Sequence, residues 1–415
     1  MIDLVKNLAT VNRRTKGSVI RELLKITNKP EIISFAGGLP SPETFPVDAL
    51  AEIAHSAIKN HSRTTLQYGA TEGLPELKAQ IVKQLREHEG ISTTPANILI
   101  TTASQQALDI VGRTFIDPSD PILVELPSYI GGLQVFKSYG AKLMGVRTDD
   151  DGVLVEDLEA KLAKLRQEEE HYKFVYMVPD FQNPAGVTLT AERRNKIIEL
   201  SERYDVLIIE DSPYREVRFE GEAPEMLYKL DSTHNVISLF TFSKTLAPGL
   251  RLGYILADER IIQRMAVLKQ SLDLCTSALN QWLAAEFLKS GLARAHVEKV
   301  RTLYKARKDA MLRALEQYMP EGVSWTKPQG GLFLWVRLPE TMNADDMFYE
   351  AIKQNVAYVI GSAFHCDGGG QNTMRLNFSY PTEGQIDEGI KRLSDVIKAN
   401  LRHRRRSRAA HLTAH

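Results

Sequence analysis

The chain has 415 residues, 43% of them hydrophobic and 25% charged, enough to bury a large core and to fill two or three domains. Lys plus Arg and Asp plus Glu balance at 52 each, which leaves no overall field to draw nucleic acid, an anionic membrane or a polyacidic partner. Cys275 and Cys366 are too few for a disulfide framework, and the sequence shows neither an apolar signal core at its start nor a membrane-length apolar run, so a cytoplasmic protein is expected.

In chain order, SVIRELLKIT (18–27) reads as a short amphipathic helix with Val19, Leu23, Leu24 and Ile26 available for packing and Arg21 on another face. Residues 77–87 carry the apolar period of a second helix. Short apolar runs then alternate with longer amphipathic stretches: ILITTA (98–103), ILVEL (122–126), FVYMV (174–178), VLIIED (206–211), VISLFT (236–241) and GYILA (253–257), with helical periods over 192–204 and 261–271. This alternation predicts an α/β fold whose mostly parallel sheet is covered by helices on both faces. After Leu279 a long helical pattern (280–318), GGLFLWVRL (330–338), a helix near 344–354 and TMRLNFSY (373–380) predict a second, smaller α+β domain. The expected organisation is an N-terminal arm (1–45), a large domain (46–290), a small C-terminal domain (291–400) and a basic tail (401–415). The tail has no apolar period and is expected to be disordered.

Four segments place reactive side chains just beyond strands. In TFSKTLAPGLR (241–251), hydroxyls stand three and one residues before Lys244 and an arginine seven after it, which puts an amine and an anion clamp in one loop. TASQQALD (102–109) leaves a strand and opens a helix, so free backbone N–H groups with the Ser104 hydroxyl can cradle a phosphate; the same residues also read as an ordinary Ser N-cap. Asp211 ends VLIIED at the carboxyl end of a strand, where α/β folds bind ligands, or else caps the next segment. Asn183, in FQNPAG, is held at the same edge by a turn marked by Pro184 and Gly186. CDGGG (366–370) lacks the Lys-Ser or Lys-Thr of a nucleotide loop, and the histidines show no ligand spacing, so no metal is expected.

Taken together, residues from about 18 to 400 resemble the class I and II aminotransferases, the fold-type-I enzymes that use pyridoxal 5'-phosphate (PLP). The resemblance implies a phosphate loop containing Ser104 and Gln105, a ring-stacking Tyr129 (ELPSYIGG), and Asn183 and Tyr214 on the cofactor's 3-oxygen. It implies Asp211 (EDSPY) on the pyridine nitrogen, and Thr241, Ser243 and Arg251 as phosphate ligands around the Schiff-base lysine, Lys244. Lys244, Asp211 and Tyr129 form the implied catalytic set. Arg375 (MRLNFSY) resembles the arginine that grips the substrate carboxylate, joined by Asn183 and the backbone of Gly38 (FAGGLP). Tyr68 (QYGATEGL) resembles a phosphate-binding tyrosine supplied by the other subunit, which implies a homodimer. Ala103 stands where the family commonly has a glycine, which bears on a left-handed turn there, and Thr241 where it commonly has a serine.

The phrases SVIRELLKIT, SFAGGLPSPETFP, ITTASQQALD, FQNPAG and LNQWLAAEFLK are similar above all to the 2-aminoadipate aminotransferases. In those enzymes the N-terminal helix covers the active site, and its arginine, here Arg21, pairs with acidic substrates and swings aside for apolar ones. Transfer of an amino group from 2-aminoadipate, an aromatic or a branched-chain L-amino acid to 2-oxoglutarate is thereby implied. The chemistry calls for these residue types. A buried carboxylate keeps the ring nitrogen protonated, an amine depressed by a nearby arginine can act as base, and a guanidinium holds a carboxylate with two parallel bonds. The rival readings are a carbon–sulfur lyase or decarboxylase of the same fold, and the effector-binding half of a transcription regulator. For the regulator, the roughly 35 residues ahead of FAGGLP are too few to hold a winged helix and linker.

Overall fold

The computed structural model describes residues 4–14, 17 and 29–412. Its main feature is an eight-stranded sheet of β2 (Ile98–Thr101), β3 (Pro121–Leu126), β4 (Lys142–Asp149), β5 (Gly152–Val153), β6 (Phe174–Met177), β7 (Leu207–Asp211), β8 (Val236–Thr241) and β9 (Gly253–Leu256), in the order β2-β9-β8-β7-β6-β3-β4-β5. All six expected strands are present, buried because helices such as Ala103–Phe115 and Ala191–Tyr204 flank them. The sheet is more mixed than expected. Four pairings are parallel (β3 with β4 and β6, β6 with β7, β7 with β8), while β9 runs antiparallel to both β2 and β8, and β5 antiparallel to β4.

The second layer is a four-stranded antiparallel sheet of β10 (Ser324–Trp325), β11 (Phe333–Arg337), β13 (Val359–Ile360) and β14 (Thr373–Asn377), ordered β10-β11-β14-β13. The expected 280–318 helix is two helices, Ala278–Lys289 and Leu292–Tyr318, broken at Gly291, whose φ of 79° a side chain would resist. β1 (Ile33–Ser34) pairs in parallel with β12 (Val356–Ala357), and Asn377 N–H donates to Phe35 O at 2.9 Å. These bonds lay the segment 35–38 along β14, next to Arg375. The last helix, Glu383–Leu412, corrects the expectation for the tail: residues 401–412 continue it, since Arg, Ala and Leu propagate a helix already started by a docked apolar face. Among the described residues no helix is long and apolar enough to cross a membrane.

Candidate active site

Three adjacent strands bring three loops to one point. Thr101 of β2 and Thr241 of β8 both stand opposite Gly253 of β9. Because β9 runs the other way, the loops leaving β2 and β8, with Ser104 and Lys244, meet the loop entering β9, with Arg251. The approach leaves no room for a side chain: a Cβ on Gly253 would lie 2.5 Å from Phe240 O and 3.0 Å from Ser104 N. Ala103 has φ 61°, so the left-handed turn is made by alanine, at a cost of about 1 kcal/mol. The helix that follows is capped by Thr102, whose side chain makes no cap hydrogen bond, so Ser104 is not the N-cap but lies in the first turn.

The neighbouring strands supply the rest. Asp211, 2% exposed at the end of β7, accepts the Tyr176 hydroxyl on Oδ2 at 2.8 Å, while its Oδ1 has no partner among the described residues. Burial pushes this carboxyl up to about 7 against the Tyr176 hydrogen bond. Asn183 Nδ2 donates to the Tyr214 hydroxyl at 3.3 Å, and Asn183 Oδ1 accepts from Arg375 Nη1 at 2.9 Å. Arg375 Nη2 donates to Ala36 O at 2.9 Å, and its Nε has no partner among the described residues. The guanidinium carbon lies 4.1 Å from the Phe333 ring centroid and 5.2 Å from that of Phe364. Burial lowers this arginine to about 10.

Lys244 Nζ donates to Gly38 O at 2.9 Å, and burial, with the charges of Arg375 and Arg251, lowers it to about 8. Thr241 Oγ1 donates to Ser243 Oγ at 2.9 Å, and the Tyr129 hydroxyl is 3.5 Å from Gln105 Oε1. Two further expected site residues add no contact to this cluster among the described residues. Tyr68 is 79% exposed, and Arg21 lies outside the described residues.

Residues 31–393 match the family Aminotransferase class I and II. The chain belongs to that family. This aminotransferase is 46% identical over 387 residues to aromatic-amino-acid aminotransferase 1 of Thermococcus litoralis, covering 93% of each chain. The Pyrococcus horikoshii kynurenine aminotransferase, solved in complex with PMP, superimposes with a TM-score of 0.93 at 44% identity, over 96% of this chain and 98% of that one. The α-aminoadipate aminotransferase LysN of Thermus thermophilus, complexed with N-(5'-phosphopyridoxyl)-L-leucine, gives 0.89 at 36% identity, over 96% and 99%. Family membership together with these named aminotransferase relatives makes the chain a PLP-dependent transaminase.

The residues present fit that cofactor. Asp211 Oδ1 is a desolvated acceptor in want of a donor, which a protonated ring nitrogen suits. The first-turn N–H groups at Ser104 are not taken by a cap side chain, and Lys244 has an amine that loses its proton readily.

The site also contains residues that carry no motif in the sequence. Tyr176 carried a signal, since a buried tyrosine in an apolar strand must find a partner for its hydroxyl. Phe333 and Phe364, which flank Arg375, looked like ordinary core. Glu125, 3% exposed on β3, accepts from Val178 N at 2.9 Å and Gln182 Nε2 at 3.2 Å, and burial lifts it to about 8. It thereby steadies the loop that carries Asn183.

Proposed function

We propose that the enzyme moves the amino group of 2-aminoadipate, an aromatic or a branched-chain L-amino acid to 2-oxoglutarate, and that it works as a homodimer. Arg375 is the observation that carries this reading. It is buried, it rests on Phe333, and its hydrogen-bond partners are neutral oxygens, with no carboxylate paired to it among the described residues. A desolvated guanidinium in that state favours a carboxylate strongly. In this reading the site lies between a large domain, 46–290, and a small one, 291–400.

Ser104, Gln105, Thr241, Ser243 and Arg251 would hold the PLP phosphate, joined by Tyr68 from the partner subunit. Asp211, Asn183, Tyr214 and Tyr129 would hold the ring, and Lys244 would carry the cofactor through its amine. When bound, PLP supplies the electron sink that weakens the bonds at the substrate's α-carbon. Lys244 Nζ, deprotonated from about pH 8 upward, can take a proton from that carbon and return it. Arg375, with Asn183 and the Gly38 backbone, holds the substrate carboxylate and so selects the C–H bond for cleavage over the C–carboxylate bond. Tyr68 and Leu66, 79% and 62% exposed, would be covered by a second copy of the chain. Arg21 is read as the partner of acidic side chains, so Arg21→Ala lowers the specificity constant for 2-aminoadipate by about tenfold to a hundredfold and leaves phenylalanine nearly unchanged.

The test mixes enzyme, PLP, each of a panel of donor amino acids and 2-oxoglutarate. Glutamate formed stoichiometrically, without ammonia or carbon dioxide, is the expected result. Ammonia release would replace the reading with a lyase, carbon dioxide with a decarboxylase, and no turnover of any donor with a regulator.

A further inference from the structure

The turn that follows the helix Glu259–Gln270 lies behind the phosphate loop, 171 residues away in sequence, and its bonding to that loop is specific. Asp273 Oδ2 accepts the Thr102 hydroxyl at 3.0 Å and Gln106 Nε2 at 2.7 Å. The other face of the same amide, Gln106 Oε1, accepts Thr102 N at 2.7 Å. Asp273 Oδ1 accepts Lys269 Nζ at 2.7 Å, and the Lys269 side chain is fully buried. Burial alone would raise the Asp273 carboxyl, but the bonds from Lys269, Gln106 and Thr102 outweigh it and hold the group below its usual range, as an anion.

An anion placed behind an anion-binding loop needs a reason. At a helix N-terminus a threonine normally turns its hydroxyl inward onto the N–H groups of the first turn, and in doing so consumes the donors a phosphate would use. Thr102 is the N-cap of Ala103–Phe115, yet its hydroxyl points the other way, to Asp273, and makes no cap bond. Gln106 is likewise turned away from the loop's open side, because its amide nitrogen is claimed by Asp273 and its oxygen by Thr102 N. Lys269 neutralises the carboxylate locally, which limits its repulsion of a bound phosphate.

We propose that Asp273, charge-balanced by Lys269, is a positioning residue that keeps the first-turn N–H groups of the phosphate loop uncapped by drawing the Thr102 hydroxyl away from them and by fixing the Gln106 amide on Thr102 N. This rests on the reading of 102–106 as the phosphate loop. Asparagine cannot replace it. If its oxygen serves Thr102 and Gln106, its NH2 faces the Lys269 ammonium, and turned round it leaves Thr102 free to cap the helix.

The experiment measures binding of PLP and of pyridoxal, which lacks the phosphate, to full-length apoenzyme by absorbance, together with apoenzyme melting temperature. Asp273→Asn is expected to weaken PLP about tenfold to a hundredfold while pyridoxal changes less than threefold. Thr102→Val in the Asp273→Asn background removes the hydroxyl that would cap, and is expected to recover most of the lost PLP affinity. Equal losses for PLP and pyridoxal, or a further loss in the double variant, would make Asp273 a mere support of the fold and overturn the proposal. Ser104→Ala separates the two readings. If it weakens PLP selectively and Asp273→Asn does not, the phosphate loop stands and the Asp273 proposal falls. If neither variant distinguishes PLP from pyridoxal, both fall.

Discussion

Asp180 and Asp211 are the same residue type at the same depth, 0% and 2% exposed, each just beyond or at the end of a strand of the large sheet. Asp180 is saturated: Oδ1 accepts from Arg194 at 2.8 Å and Oδ2 from Arg215 at 3.1 Å, while Arg215 is also held by Glu89 at 2.6 Å. Burial would raise its carboxyl, but the two arginines overcome it and hold the group below its usual range. Among the described residues Asp211 has one neutral donor, Tyr176, and burial wins, so the carboxyl rises to about 7. Desolvation cost is similar in both places. Whether counter-charge comes from the chain or is left to a ligand separates a buried group that holds the fold from one that serves a reaction.

The comparison is broken most severely at the residue that joins the ligand to the site. Lys244→Ala is expected to abolish multiple turnover, read as single-turnover amounts of glutamate and loss of visible absorbance; rates near wild type would move the cofactor attachment elsewhere. Asp211→Asn is expected to lower kcat by three orders of magnitude or more, about 4 kcal/mol, in steady-state assays. Asp180→Asn strands the fully buried Arg194 and is expected to cost about 3–5 kcal/mol of unfolding free energy in denaturant titration, with kcat per folded molecule little changed. If Asp180→Asn instead lowered kcat at full stability, the division into holding and reacting carboxylates would fail.

Asp211→Asn also sharpens the contrast in the absence of cofactor. A carboxyl whose folded value lies above its unfolded one, near 4, stabilises the fold only while protonated, so its contribution is lost as pH rises from about 4 to about 7. Removing the charge should therefore raise apoprotein stability by about 1–3 kcal/mol at pH 8 and change it little near pH 4. The same substitution at Asp180 should destabilise at pH 8. Chemical unfolding of both apoproteins at the two pH values checks the opposite signs.

Much of this was legible in the amino-acid order. Strands bare of polar residues on both faces announced the covered sheet, and TFSKTLAPGLR announced an amine with its anion clamp because the spacing lies within one loop. The direction of β9 was not legible, since an apolar run looks the same read either way. β4 escaped notice because it is only half buried, and its sequence KLMGVRTD is correspondingly polar. Contacts set by the fold over long range left no local trace. Lys244 meets Gly38, Arg375 meets Asn183 and Asp273 meets Thr102 across 206, 192 and 171 residues.

The smallest expected effect tests the finest part of the comparison, the single donor that Asp211 does have. Tyr176 sits on β6 opposite Ile209 of β7, so its ring is fixed by sheet register, and edge contact with Phe136 at 5.2 Å holds it further. Its hydroxyl bonds Asp211 Oδ2, and this bond is what opposes the upward push of burial. Tyr176→Phe keeps the ring and removes the donor, so Asp211 should hold its proton to a pH above 7. A protonated Asp211 cannot receive a protonated ring nitrogen. PLP affinity of the apoenzyme should therefore fall about threefold to tenfold at pH 6, the value of one hydrogen bond at about 1 kcal/mol, and approach the wild-type value near pH 9, where Asp211 is ionised in both. Lys244 titrates in the same range but is common to both proteins, so their affinity ratio at each pH isolates Asp211. A ratio that stays constant from pH 6 to pH 9 would mean that Tyr176 acts by packing alone and that its hydroxyl does not tune the carboxylate.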